Sequence, residues 1–288
     1  MRETMDVPFA KFHGLGNDWL VVGVEGLPRS LKEFSRAILD RHTGIGADGL
    51  MVIMPPRKSS HTARLRFFNA DGSEAEMSGN GIRCAGAFLA ELLPDKRSFR
   101  IETPSGLKSL EKVQEAEGRW LFRAGMGAPV LEPGKIPFEG EGATAPVTRF
   151  ELRTQQGLLP VTVTSMGNPH CSIFMEDLPD DWEALGHEIE WNPLFPNRTN
   201  VEFVKVISPR EIAVRFWERG VGHTLSSGTG SCAATVASIL NGLTERRVGV
   251  RTEAGGLEVA WPENGEVILT GPVVRVGRGT YDWVSTSA

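Results

Sequence analysis

Apolar positions along this chain fall into short runs rather than long helical stretches, and glycines or charges interrupt them. FAKFHG (9–14), LMVIM (50–54) and ARLRFF (63–68) carry the β-branched and aromatic content of strands. VTVTSM (161–166), VEFVKVI (201–207) and IAVRFW (212–217) do the same later in the chain. IRCAGAFLAELL (82–93) and SCAATVASIL (231–240) are small-residue apolar stretches with few breakers, each entered through a Ser-Gly-x-Gly loop, and they predict helices. Ser35 to Leu39 inside LKEFSRAILDRH (31–42), and WEALGHEIEW (182–191), predict two more. A Pro- and Gly-rich segment near residues 126–146 has no clear period and is predicted to carry a link between domains. GTYDWVS (279–285) reads as a short final strand.

The pattern repeats. Arg66-Phe67-Phe68 recurs as Arg215-Phe216-Trp217, and at that offset Ser78-Gly79-Asn80-Gly81 falls on Ser227-Gly228-Thr229-Gly230. Gly16-Asn17 has its counterpart in Gly167-Asn168, and DGLMVI (48–53) lies opposite TNVEFV (199–204). The repeat is about half the chain, which predicts two related domains and not a solenoid. A chain of 288 residues accommodates two such domains. We place them at 1–126 and 127–275, with residues 276–288 returning to the first.

Composition narrows the setting. Hydrophobic content of 40%, charged content of 23% and a net charge of −5 are those of an ordinary globular protein without a basic footprint for nucleic acid or membrane. The first residues lack the apolar core of a signal peptide and no run of about 20 apolar residues occurs, so a cytoplasmic setting is expected. Cys84, Cys171 and Cys232 are scattered and odd in number; they predict neither disulfides nor a zinc site, and each reads as a small buried hydrophobe.

A Ser-Gly-x-Gly loop alone is most simply a helix cap. Two at matched positions, preceded nine residues earlier by Asn69 and Glu218, suggest helix ends facing a shared cleft. Helix amino termini offer unpaired N–H groups and partial positive charge, suited to carboxylate or phosphate. Neither loop is a Walker loop or a dinucleotide fingerprint, so a small carboxylate is the better expectation. Asn17, Asn69, Asn168, His170, Asn200, Glu218 and Arg219 surround the loops. Singly they read as turn or surface residues; together they suit an amino acid, with Arg219 taking its carboxylate in a two-pronged contact. No GxSxG elbow is present. A triad assembled in space from His170, Glu218 and Ser227 stays open.

FHGLGNDWLVV, DRHTGIGADGL, FNADGSEAEMSGNGIRC, SMGNPHCSIF, RTNVEFV and WERGVGHTLSSGTGSCAA, in this order, resemble the signature set of the diaminopimelate epimerase family. The resemblance implies an α/β (α+β) fold of two pseudo-symmetric domains. Each would be a β-barrel-like sheet wrapped around a central helix, with the active site in the cleft between them. It also implies epimerisation of LL- to meso-diaminopimelate by two-base proton transfer at Cα, without pyridoxal phosphate or any other cofactor, for lysine biosynthesis. Substrate contacts would fall on Asn17, Asn69, Gly79, Asn80, Asn168, Asn200, Glu218, Arg219, Gly228 and Thr229. His170 and Glu218 match the residues that assist proton transfer. Family members often pair as homodimers.

The family's two acid/base cysteines fall on Ser78 and Ser227. A thiol ionises near neutrality when a helix amino terminus lowers its pKa, whereas an alkyl hydroxyl needs an adjacent base. Three kinds of outcome follow. Either the serines transfer protons with help from His170 and Glu218, or the chain is an isomerase or dehydratase of the same fold, or it binds an amino acid without turnover through natural or deliberate Cys-to-Ser change. His223, where the family usually carries Glu, is a second departure.

Overall fold

The computed structural model describes residues 4–75, 79–263 and 265–284. The chain divides into two compact units, Met1–Ala124 with Gly271–Ala288, and Gly125–Thr270. It enters the second unit at Gly125 and leaves it after Thr270.

The first unit runs β1 (Thr4–Gly14), β2 (Asn17–Gly23), α1 (Leu31–Leu39), β3 (Gly49–Met54), β4 (Ala63–Asn69), β5 (Glu74–Ala75), α2 (Gly79–Leu92), β6 (Ser98–Thr103), β7 (Gly106–Ala116) and β8 (Arg119–Gly127). The second adds β9 (Val147–Thr154), β10 (Gly157–Ser165), β11 (Pro169–Phe174), α3 (Trp182–Glu190), β12 (Asn200–Ser208), β13 (Glu211–Glu218), β14 (Gly222–Thr224), α4 (Gly228–Leu240), β15 (Arg247–Thr252) and β16 (Gly255–Ala260). β17 (Val267–Val284) follows.

In the first unit the pairings close on themselves. β17 pairs with β1, which leads through β2, β3, β4, β6 and β7 to β8, and β8 pairs back to β17. The result is a barrel. Helix α2 packs against β1, β2, β3 and β7, and its residues from Gly79 to Ala87 are all buried, as a helix surrounded by sheet requires. Small residues let the strands approach: a Cβ on Gly86 would come within 2.9 Å of the Leu110 side chain.

The second unit repeats the scheme. β9 to β13 are joined in order, β13 pairs in parallel with β15, and β16 and β17 complete the ladder. Helix α4 packs against β10, β11, β12, β13, β15 and β16. Ser231 and Ser238 donate their hydroxyls back to the carbonyls of Ser227 and Ala234, so these buried polar groups are satisfied within the helix. The internal duplication extends to strand register. Trp19 faces Gly49 across β2 and β3, and His170 faces Asn200 across β11 and β12, one shift of 151 residues (170 − 19 and 200 − 49).

Two features differ from the sequence reading. The segment after Gly125 is no free link: Ile136 and Phe138 are buried in the second core, where the Phe138 ring meets Phe150 edge-to-face and Phe195 at a tilt, with centroids 5.1 Å apart in both pairs. Its proline and glycine shape a 3-10 turn at Pro133–Lys135, which carries these residues inward. GTYDWV (279–284) is not a short strand but the end of the 18-residue β17, paired to β1 from Val274 to Val284; Ser285 lies outside the described residues. No described helix is long and apolar enough to cross a membrane.

Candidate active site

Ser227 sits in extended conformation (φ −128°, ψ 128°) immediately before α4 and caps it, its Oγ accepting from Gly230 N at 3.3 Å. The same hydroxyl donates to Glu218 Oε2 at 3.0 Å. Thr224 donates to the other carboxylate oxygen, Oε1, at 2.7 Å. Glu218 ends β13 and the chain turns back at once into β14, which brings Thr224 and Ser227 onto its two oxygens. Burial pushes the Glu218 carboxyl above the ordinary carboxylate range, and the Thr224 and Ser227 bonds only partly pull it back.

Glu190, at the end of α3, anchors the turn that follows Glu218. Its carboxylate accepts from Gly220 N at 2.8 Å, Trp217 Nε1 at 2.8 Å and Arg198 Nη1 at 3.2 Å. Asn200 braces the same turn: its Oδ1 accepts from Arg219 N at 3.0 Å and its Nδ2 donates to Pro169 O at 2.8 Å. Arg219 donates from Nη1 to Asn197 O at 3.0 Å. Both ends of the Asn200 amide are thus held by the protein itself.

His170 is fully buried on β11. Its Nδ1 lies 2.6 Å from Glu202 Oε1 and its Nε2 lies 2.9 Å from Asn168 Oδ1. Both ring nitrogens are therefore engaged, and the ring makes no triad with Glu218 and Ser227. His223 lies apart from this set, 2.6 Å from Glu253 and 3.4 Å from Glu183.

In the first unit, Asn17 donates from Nδ2 to Asp48 Oδ2 at 2.8 Å and accepts from Trp19 Nε1 at 2.7 Å. Asp48 in turn accepts from Arg41, which also grips Asp18 with two nitrogens at 2.8 and 3.3 Å; Lys11 lies 2.9 Å from Asp18. Burial alone would raise the Asp18 carboxyl, but the Arg41 and Lys11 bonds outweigh it and hold it below its ordinary value. The charged residues of FHGLGNDWLVV and DRHTGIGADGL therefore build a scaffold that fixes Asn17. Asn69 is exposed and donates to Ser73 Oγ at 2.9 Å. Gly79 and Asn80 open α2 and are buried, with Arg83 donating to Gly79 O at 3.2 Å and Asn80 Oδ1 at 2.6 Å. Gly228 and Thr229 open α4 in the corresponding way. Ser78 lies outside the described residues.

Cys84, Cys171 and Cys232 are all fully buried. Burial pushes the Cys84 thiol up to about 12, and Cys171 is raised well above its ordinary value.

Sequence reasoning missed Glu202, Glu190 and Thr224. The signal for Glu202 was available: one carboxylate inside the apolar strand run VEFV, next to a strand bearing histidine. The titratable groups also break the duplication, because at the same shift of 151 residues His170 corresponds to Trp19 and Glu202 to Met51.

The family model for diaminopimelate epimerase matches residues 9–132 and 162–276. A diaminopimelate epimerase of Pelotomaculum thermopropionicum is 44% identical over 281 residues, covering 96% of this chain and 99% of that protein. One from Halothermothrix orenii is 42% identical over 278 residues, covering 96% and 98%. Among solved structures, a hydroxyproline epimerase from Agrobacterium vitis superposes with a TM-score of 0.72 at 15% identity, covering 99% of this chain and 95% of that one; this likeness concerns the fold.

Proposed function

The chain belongs to the diaminopimelate epimerase family, and on that premise we propose that it epimerises a small diamino dicarboxylate of the diaminopimelate type at Cα, without a cofactor. The carrying observation is the contact of Ser227 with Glu218, a hydroxyl at a helix amino terminus beside a carboxylate whose basicity burial has raised. Such a pair is what a serine needs to work where a thiol would ionise unaided.

In this reading Ser227 passes its proton to Glu218 as it takes the proton from Cα, leaving a carbanion. Ser78 gives a proton to the opposite face of Cα and is reprotonated from solvent, while Glu218 releases its extra proton. The N–H groups that open α2 and α4, at Gly79, Asn80, Gly228 and Thr229, would hold carboxylate oxygens. Asn17, Asn69, Asn168, Asn200 and Arg219 would orient the amino acid. His170 would assist the proton transfer.

The reading carries with it a cytoplasmic place in lysine biosynthesis and pairing as a homodimer; light scattering on the purified protein tests the pairing. A competing reading, binding without turnover, is favoured by the burial of all three cysteines. Incubation with meso-diaminopimelate in D₂O, followed by NMR of the Cα–H signal, separates the two. Exchange that Glu218→Gln abolishes supports catalysis, whereas tight binding without exchange leaves the amino-acid binder.

A further inference from the structure

The His170–Glu202 pair is buried and hydrogen-bonded, and the first unit is built without its carboxylate. His170 is 0% and Glu202 1% exposed, and the same places in the first unit hold Trp19 and Met51. Trp19 Nε1 donates to Asn17 Oδ1 at 2.7 Å much as His170 Nε2 meets Asn168 Oδ1, but the place of Glu202 is taken there by the apolar Met51. A buried acid–base pair is often no more stable than a well-packed apolar replacement, so its presence calls for another role.

The geometry counts the protons. Asn168 Oδ1 has none to give, so the ring must donate from Nε2 across their 2.9 Å contact. The 2.6 Å line from Nδ1 to Glu202 Oε1 must then hold a further proton, whether it rides on the ring or on the carboxyl. Ser172 donates to the other oxygen of Glu202 at 3.3 Å. The first turn of α4 lies directly over the pair: a Cβ on Gly230 would fall 3.1 Å from Glu202 Oε1, so glycine is what fits there. Among the described residues, the Nδ2 end of Asn168 is bonded to none.

We propose that Glu202 is a positioning residue for the substrate: by holding a proton on the Nδ1 side of His170, it forces Nε2 to donate to Asn168 Oδ1, which commits the Nδ2–H groups of Asn168 to an anionic substrate group. Glu202 touches no substrate; it acts through the ring. The proposal rests on the reading of Asn168 as a substrate contact given above. Burial raises the Glu202 carboxyl while the histidine opposes that rise, so the shared proton is retained in either arrangement.

NMR of the wild-type protein with ¹⁵N-labelled histidine tests the first link without any variant. The expected spectrum has His170 protonated at Nε2 and a far-downfield proton on the Nδ1–Glu202 line. A bare Nε2 at neutral pH would overturn the proposal. For the second link, Glu202→Gln keeps a group able to donate to Nδ1, and its KM for diaminopimelate should stay within about twofold. Glu202→Met removes the bond with little change of volume. It should raise KM, or the calorimetric Kd, about tenfold, with a smaller change in kcat. An unchanged KM or Kd in a folded Glu202→Met protein, with the downfield signal gone, also defeats it. Failure of the proposed function appears separately, as absence of Cα–H exchange in the wild type while the ring spectrum still decides the role of Glu202.

Discussion

Ser227 gives its hydroxyl proton to Glu218 at 3.0 Å while accepting the Gly230 N–H of the helix that it caps. One side chain thus serves both the stability of α4 and the chemistry proposed at its tip, and the two roles can be pulled apart.

Ser227→Ala removes the cap and the donor to Glu218 together. We expect a loss of about 1 kcal/mol in folding stability, read as a lowered urea midpoint. Loss of Cα–H exchange should be complete within detection. Ser227→Asn restores a cap without a hydroxyl, and should recover the midpoint but not the exchange.

Ser78→Cys with Ser227→Cys should raise epimerisation by about 10²–10⁴-fold for each face given a thiol. The helix amino terminus lowers the pKa of a thiol placed there. Thiol reagents offer a parallel readout: the native protein should react slowly, since its cysteines are buried, and the double variant fast.

The two kinds of perturbed carboxyl predict opposite pH behaviour. Glu218 and Glu202 are raised by burial, so the folded protein holds their protons more tightly than the unfolded chain does. Their contribution to stability is present below the ordinary carboxylate pKa and is lost as pH rises through the folded values. Asp18, lowered on balance by Arg41 and Lys11, contributes above its ordinary pKa and loses that contribution as pH falls. Denaturation midpoints against pH should show both limbs, with Glu218→Gln flattening the first and Asp18→Asn the second. If Glu218 is the proton acceptor, exchange activity should also rise with pH above the ordinary carboxylate range.

Phe138→Ala should cost about 3–5 kcal/mol, because it empties a site packed between Phe150 and Phe195. A solvated linker would tolerate the change.

The strands that the sequence predicted are those whose apolar content announces burial, such as β3, β4, β12 and β13. β7 was not legible, because its residues are mostly exposed and read KSLEKVQEA, which no hydrophobic period marks. The segment at 126–146 misled for the converse reason: its prolines and glycines conceal Ile136 and Phe138. At the site, the helix-capping loops and the polar set stood out by their repetition, whereas Glu202 and Glu190 act from beneath. Burial of a charge is a property of the folded neighbourhood, and neither residue has a repeated partner to reveal it.

The ring of strands in the first unit is closed by β17, whose partner β1 lies more than 250 residues earlier in the chain. On the ribosome, residues 4–124 must therefore wait with an open seam until residues 271–284 emerge, whereas 125–270 form one uninterrupted stretch and need no such delay. A segment made after the second unit completes a half begun before it, so a chain clipped ahead of residue 271 would strand a naked sheet margin while leaving 125–270 whole.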